Sequence, residues 1–459
     1  MFFAALSAAF LFVQPCTLAA PDGAIDDAPK ELIFVLKKID GSVHNPAQHT
    51  YWFGPFAECA TVLDINGDGK LDIAAGRNYY LAPQFTKFAD YRDGAEVNGP
   101  DVDDNYEGTI DVNNDGRPDV LSSGWMRRQG IWWYENPGKM GAKWESHALL
   151  EADGVEGMVI GNLSGRSSKD VLVNYFARKP GRSLIWFEHI DQAPWFTQHT
   201  LGPENIGVSH GAGIGDINGD GRNDVVTTSG WFEAPPDPTQ QAWKWHPDYQ
   251  FSPYGAGDRP GGAGLPILIT DVNDDSLNDI IMGSDHGYGL ALYEQKLDGN
   301  KRSFVKHWIE TDYPTFHTMA LADLDGDGKP ELITGKQLFA HNGGDVGAFE
   351  PVFVFYYKIK HGQFERHIIS YSYLTPYFGA GNQSTSPPDN VVGLGMRMQV
   401  ADIDGDGRPD IIIPCKTGLY IFYNKGYTSR TAGVNYLPER TTYPSHRNWD
   451  APRQTRSSQ

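Results

Sequence analysis

A chain of 459 residues with a formal charge of -20, and 38 Lys and Arg against 58 Asp and Glu, lacks the basic surface that a phosphate backbone selects, so nucleic acid is excluded as a default partner. Gly 52, Pro 30 and an aromatic fraction of 12% describe short strands joined by many turns rather than long helices. Three cysteines are too few for a disulfide framework, which a chain of this size does not need.

The opening run MFFAALSAAFLFVQPCTLAA is apolar and closes on small residues, so residues 1–20 read as a secretory signal peptide cleaved near Ala20, with an extracellular or periplasmic destination. A short membrane anchor is the rival reading. No basic stop-transfer flank follows the run, however, and nothing later could span a bilayer stably. The next segment, ELIFVLKKID, has the character of an outer strand but precedes any complete repeat unit.

From Asp64 a nine-residue phrase recurs: DINGDGKLD, then DVNNDGRPD from Asp111, DINGDGRND from Asp216, DVNDDSLND from Asp271, DLDGDGKPE from Asp323 and DIDGDGRPD from Asp402. A degenerate copy, NLSGRSSKD, begins at Asn162. The starts at 64, 111, 162, 216, 271, 323 and 402 lie 47 to 55 residues apart until a last step of 79, a blade-sized period. Oxygen donors at positions 1, 3, 5 and 9 of a tight Gly-containing loop suit a hard cation, and calcium is expected there. The expected ligands are Asp64, Asn66, Asp68 and Asp72; Asp111, Asn113, Asp115 and Asp119; and Asp216, Asn218, Asp220 and Asp224. The later loops add Asp271, Asn273, Asp275 and Asp279; Asp323, Asp325, Asp327 and Glu331; and Asp402, Asp404, Asp406 and Asp410. The degenerate copy carries Arg166 at its fifth position, where a guanidinium would replace the ion, so that unit is assigned no calcium. An EF-hand is excluded because no Glu stands at position 12 and the flanks are β-branched strands, not amphipathic helices.

Each loop is followed by a second strand, then an aromatic third strand such as GIWWYEN or VFVFYYK, then a fourth strand marked by an aromatic residue and a His three positions later. Four strands per unit over seven units predict an all-β fold: a seven-bladed β-propeller over residues 21–426, with calcium loops between the first two strands of most blades. The last unit lacks a fourth strand, and ELIFVLKKID supplies it by closing the ring. Cys59 and Cys415 then fall on neighbouring first and last blades, either as a bridge across the closure or as two buried thiols. The long step before the last unit, YLTPYFGAGNQSTSPPDN, reads as a loop overhanging one face, and residues 427–459 as a polar tail. The repeat pattern resembles the FG-GAP/VCBS repeat family, which includes the integrin α-chain head; the resemblance implies fold, not function.

Chain direction then sorts the polar residues. Positions about six before each loop start ring the axis at the face opposite the loops: Glu58, Asn105, Glu156, His210, Leu265, His317 and Met396. The ends of the second strands reach the same face with Arg77, Tyr79, Trp125, Tyr175, Trp231, Asp285, His286, Lys336, His341 and Lys416. His147, His199, His307 and His367 recur at one repeat position and read as structural. His210, His286 and His317 do not, and their convergence predicts a zinc site with an open position, with His341 as a further ligand or base. The competing reading is a polar pocket that binds a sugar by hydrogen bonds alone. Arg77, Trp125, Tyr175, Trp231 and Asp285 are the expected substrate contacts around the mouth, the aromatic rings by stacking.

The phrases SHGAGIGDINGDGRNDVV, IIMGSDHGYGLALYEQ, FHTMALADLDGDGKPELITGK and FAHNGGD also resemble the propeller domain of the aldos-2-ulose dehydratases. That resemblance implies a zinc-dependent carbon–oxygen lyase that dehydrates 1,5-anhydro-D-fructose or an aldosulose. Any accompanying isomerase activity is put in doubt because the tail is too short for a cupin. The mechanism would use Glu156 or His341 as base, with Lys336 or Tyr79 stabilising the enolate or protonating the leaving group. The alternative is a non-catalytic secreted propeller that binds a glycan or protein partner. Oligomeric state is not fixed by the sequence.

Overall fold

β-branched and aromatic residues on either side of each Asp-rich loop give short strands, and the loop turns the chain straight back, so consecutive strands pair antiparallel. The computed structural model describes residues 31–41, 56–95, 97–98, 101–166, 169–175, 179–372 and 391–427. Seven four-stranded sheets follow one another, with innermost strands Ala60–Leu63, Tyr106–Ile110, Val155–Gly161, Ala212–Gly215, Leu268–Thr270, Met319–Ala322 and Gln399–Ala401. In the first six sheets spatial order follows chain order. In the seventh, Leu32–Asp40 lies antiparallel beside Gly418–Tyr427, with Val35 opposite Tyr423, so the first described strand completes the last blade. The fold is an all-β seven-bladed propeller.

The apolar core is a ring of interfaces between successive sheets. One cluster runs from blade two to blade five through Leu121, Trp186, Phe232 and Leu265, and another joins blades six and seven through Val354, Ile411 and Tyr420. The inner strands approach so closely that glycine is needed at the contact. A Cβ on Gly215 would lie 2.9 Å from Ile269 Cβ of the next blade. Cys59 and Cys415 are buried free thiols. Among the described residues no helix is long and apolar enough to cross a membrane. The segment read as a signal peptide, the segment 373–390 read as an overhanging loop, and all but the first residue of the tail lie outside the described residues.

The Asp-rich loops are ordered largely by their own carboxylates. Asp216 Oδ1 accepts from the Gly219 and Asp220 amides at 2.7 and 3.2 Å, and Oδ2 from Gly221 at 2.8 Å. The ninth-position Asp224 is buried and staples the blade, accepting from Ile217 N at 2.9 Å and from Ala234 N at 2.8 Å on the far side of the third strand. Asp170 makes the same staple to Leu163 and His189 in the degenerate loop, so that carboxylate serves the blade even where the ion ligands are lost. Burial raises Asp224 and Asp119 to about 7. Donor atoms of Asp402, Asp404 and Asp410 lie within 4.8 Å of one another, as do those of Asp323, Asp325 and Glu331. Arg166 ion-pairs with Glu188 of its own blade's third strand.

Three of the four recurring fourth-strand histidines stack on third-strand aromatics, His147 on Trp133, His199 on Trp186 and His367 on Tyr356, with centroids 4.1, 4.5 and 4.7 Å apart, while His307 bonds to Glu294 Oε2 at 2.9 Å. His246 on Trp231 is a further copy, at 4.2 Å, that the sequence reading overlooked.

Candidate functional site

Where the inner strands begin, at the face remote from the Asp-rich loops, a cavity of about 580 Å³ opens on the axis. Six of the seven ring positions line it: Glu58, Asn105, Glu156, His210, His317 and Met396. Leu265 instead packs in the core between blades. Of the second-strand ends, Trp125, Asp285, His286, His341 and Lys416 line the cavity.

The others do not. Tyr79 is fully buried, stacked on Phe88 at 4.8 Å, and its hydroxyl accepts from Gly141 N at 2.8 Å. Trp231 is buried against His246 and donates from Nε1 to Asp248 at 2.9 Å. Both stand on third strands, one step farther from the axis, where a large ring packs between blades. Tyr175 is covered by the Arg182 guanidinium at 4.2 Å, and Arg77 pairs outward with Asp90 at 2.9 Å. Lys336 is buried, donating to Ala348 O at 3.2 Å, while its neighbour Gln337 takes the cavity position; side-chain alternation puts one residue in and the next out. Tyr79 and Lys336 are therefore removed from the reacting groups, and Arg77, Tyr175 and Trp231 from the substrate contacts.

Burial lowers Lys336 to about 8. Below that value folded and unfolded chains are both protonated and the full penalty applies. Between about 8 and the ordinary lysine value of 10.5 the folded chain alone loses the proton, so stability rises with pH across this window. The penalty at neutral pH is about 3 kcal/mol. Lys336→Met is expected to raise the unfolding free energy at pH 7 by about 2 kcal/mol, after the lost hydrogen bond is deducted, and to flatten the rise between about pH 8 and 10.5. Denaturant titration across this pH range checks it; lower stability at pH 7 would contradict it.

His210, His286 and His317 come together. Their ring centroids are 5.3, 5.1 and 5.7 Å apart pairwise, and their donor atoms lie within 4.8 Å of one another. His210 Nδ1 donates to Ala263 O at 2.8 Å, which turns Nε2 toward Glu156 Oε1, 3.2 Å away but off the line of a hydrogen bond. Gly262 permits this approach, since a Cβ there would lie 2.1 Å from Asp285 Oδ2 and 2.6 Å from His210 Cβ. His286 Nδ1 donates to Asp345 Oδ2 at 2.9 Å. His317 is 1% exposed, and neither of its ring nitrogens has a hydrogen-bond partner.

Burial opposes the charge on Glu156, but His210 beside it overrides burial and holds the carboxyl at about 2. Burial likewise pulls His210 down, and the carboxylates of Glu156 and Asp285 more than reverse this, carrying it to about 10. His317 has both burial and the His210 charge against it and falls to about 3, a neutral imidazole. A buried, neutral imidazole with unpartnered nitrogens is costly unless it serves as a ligand. His317, with the rings of His210 and His286 beside it and a carboxylate alongside, makes a donor set that fits zinc or another borderline divalent cation once His210 gives up its proton.

Trp125 stays on the rim because Asp103 holds its turn. Asp103 Oδ1 accepts from Trp125 N and Met126 N at 2.8 and 3.0 Å, and Oδ2 from Arg127 N and Arg128 N, both at 2.9 Å. Neither Asp103 nor Asp345 was singled out by sequence. Asp345 stands four residues after His341, a spacing that could have marked it.

Residues 271–334, which contain two of the Asp-rich loops, match the FG-GAP-like repeat family. Comparison with curated proteins gives no match. Among solved structures, the chain is similar to an Agrocybe aegerita lectin described as recognising non-reducing terminal N-acetylglucosamine. That likeness has 16% identity and a TM-score of 0.43, over 72% of this chain and 83% of that one. It is also similar to a rhamnogalacturonan lyase of Bacillus licheniformis, at 12% identity and a TM-score of 0.44 over 85% and 76% of the two chains. The exotype rhamnogalacturonan lyase YesX matches at 11% identity and a TM-score of 0.44, over 86% and 76%. The chain is thus a seven-bladed β-propeller with an FG-GAP-like repeat, and its structural neighbours include lyases and a lectin.

Proposed function

We propose that the axial cavity is the active site of a metal-dependent carbohydrate lyase that removes water from a keto-sugar such as 1,5-anhydro-D-fructose or an aldosulose. The observation that carries this reading is the convergence of His210, His286 and His317 on one point of the cavity wall, with donor atoms within 4.8 Å. These three residues would hold a zinc ion, which when bound polarises a ketone and acidifies the neighbouring C–H. Glu156, ionised and facing the imidazoles, accepts that proton. His341, on the cavity rim, supplies a proton to the departing β-hydroxyl, so that the elimination yields an enone and water. Trp125 offers its ring for stacking. The cavity holds three carboxylates, Glu58, Glu156 and Asp285, against the single ammonium of Lys416, which lies 3.6 Å from Glu58. A divalent cation would bring that balance close to neutral, which suits an uncharged sugar better than a uronate.

The six well-formed Asp-rich loops are proposed to bind calcium for stability rather than chemistry, and export by the N-terminal segment is proposed as the route out of the cell. Purified protein supplied with 1,5-anhydro-D-fructose is expected to release a product with enone absorbance. Turnover should vanish on selective zinc removal and return with added zinc. Calcium without zinc, and no turnover of any keto-sugar, would contradict the reading and leave a propeller that binds glycan or protein without reacting.

A further inference from the structure

Asp345 bridges two imidazoles. Its Oδ1 accepts from His341 Nδ1 at 2.8 Å and its Oδ2 from His286 Nδ1 at 2.9 Å, while the two rings stand 4.5 Å apart. The carboxylate is only 10% exposed, although His341 itself is 53% exposed. It belongs to the segment that follows the short turn Ala340–Gly343, and that segment is tied to the body of blade six by Lys336 Nζ, which donates to Ala348 O at 3.2 Å. A carboxylate accepts through both oxygens and donates through neither, so it fixes both rings with the proton on Nδ1.

We infer that Asp345 is a positioning residue that sets the tautomer and angle of His286 and His341 together, turning Nε2 of His286 toward His210 and His317 and docking the His341 segment against the metal wall. This rests on His286 being a metal ligand, as proposed above. A carboxylate behind a metal-binding imidazole orients the ring and raises its basicity, and its loss ordinarily weakens metal affinity 10- to 100-fold. Here one carboxylate serves two rings from different blades' connecting segments, so it also couples the placement of the rim segment to that of the ligand.

The test is zinc affinity of the full chain in calcium-containing buffer, measured by competition with a chromogenic chelator, for the wild type, Asp345→Ala, Asp345→Asn and His317→Ala. The expected result is a 10- to 100-fold weaker zinc affinity for Asp345→Ala in a protein that still folds and melts cooperatively, its melting temperature lowered by no more than about 5 °C, with no measurable binding by His317→Ala. Asp345→Asn serves in place of Asp345→Ala should the latter fail to fold, with weaker zinc binding again expected. Wild-type affinity in a folded Asp345 variant, with His317→Ala still defective, would overturn the positioning role and leave the metal site standing. Absence of zinc binding by the wild type would instead overturn the site itself.

Discussion

His317→Leu is expected to abolish metal binding at the axis and lower kcat/KM by at least about 10³-fold, while leaving the metal-free protein as stable as the wild type or more so. The reason lies in the surroundings of His317. The ring is 1% exposed, neutral, and without a hydrogen-bond partner on either nitrogen. An unsatisfied buried polar group costs about 1–3 kcal/mol, and leucine fills similar space without that cost. A residue retained for packing would show the opposite, a loss of stability without selective loss of turnover. Calorimetry in chelator together with the sugar assay separates the two, and retained activity in a folded His317→Leu protein would remove His317 from the chemistry.

The second large effect concerns the opposite face. Chelation of calcium is expected to lower the melting temperature by more than about 10 °C, and Asp220→Ala, which spoils one loop, by about 5 °C with turnover at 25 °C nearly unchanged. Each loop crowds several carboxylates into nine residues, and a cation that binds only the folded loop adds about 2.7 kcal/mol at a hundredfold excess over its dissociation constant. The backbone bonds to Asp216 and the ninth-position staple at Asp224 shape the loop, but they leave Asp216, Asp220 and Asn218 clustered at the surface. Thermal melts with and without chelator check this. An Asp220→Ala protein of undiminished stability that had lost activity would show that the loops had been misread.

The ring positions were legible because the repeat fixes register. Once the Asp-rich loop marks one end of each inner strand, counting back six residues reaches the other face, and this count brought Glu156, His210 and His317 to one cavity. The closing strand was legible for a different reason: the last unit is one strand short of four, and the strand-like ELIFVLKKID at the other end of the chain fills the gap, as Leu32–Asp40 does. Residues beyond the second strand were less legible. Tyr79 and Trp231 stand on third strands, where a sequence cannot say whether an aromatic ring faces the mouth or the neighbouring sheet, and packing against Phe88 and His246 decided it. Lys336 missed the cavity by one residue, the smallest error that alternation allows, and Gln337 stands in its place. Asp345 and Asp103 went unnoticed because they act through loops outside the repeat, where no periodicity tells which polar group a carboxylate will meet.

The most direct measurement is anomalous diffraction at the zinc edge from crystals grown with both zinc and calcium. One peak is expected on the axis, about 2.0–2.1 Å from a ring nitrogen of each of His210, His286 and His317, with the calcium sites confined to the loops on the far face. No axial peak under zinc-replete conditions, or imidazoles turned away from a common point, would contradict it.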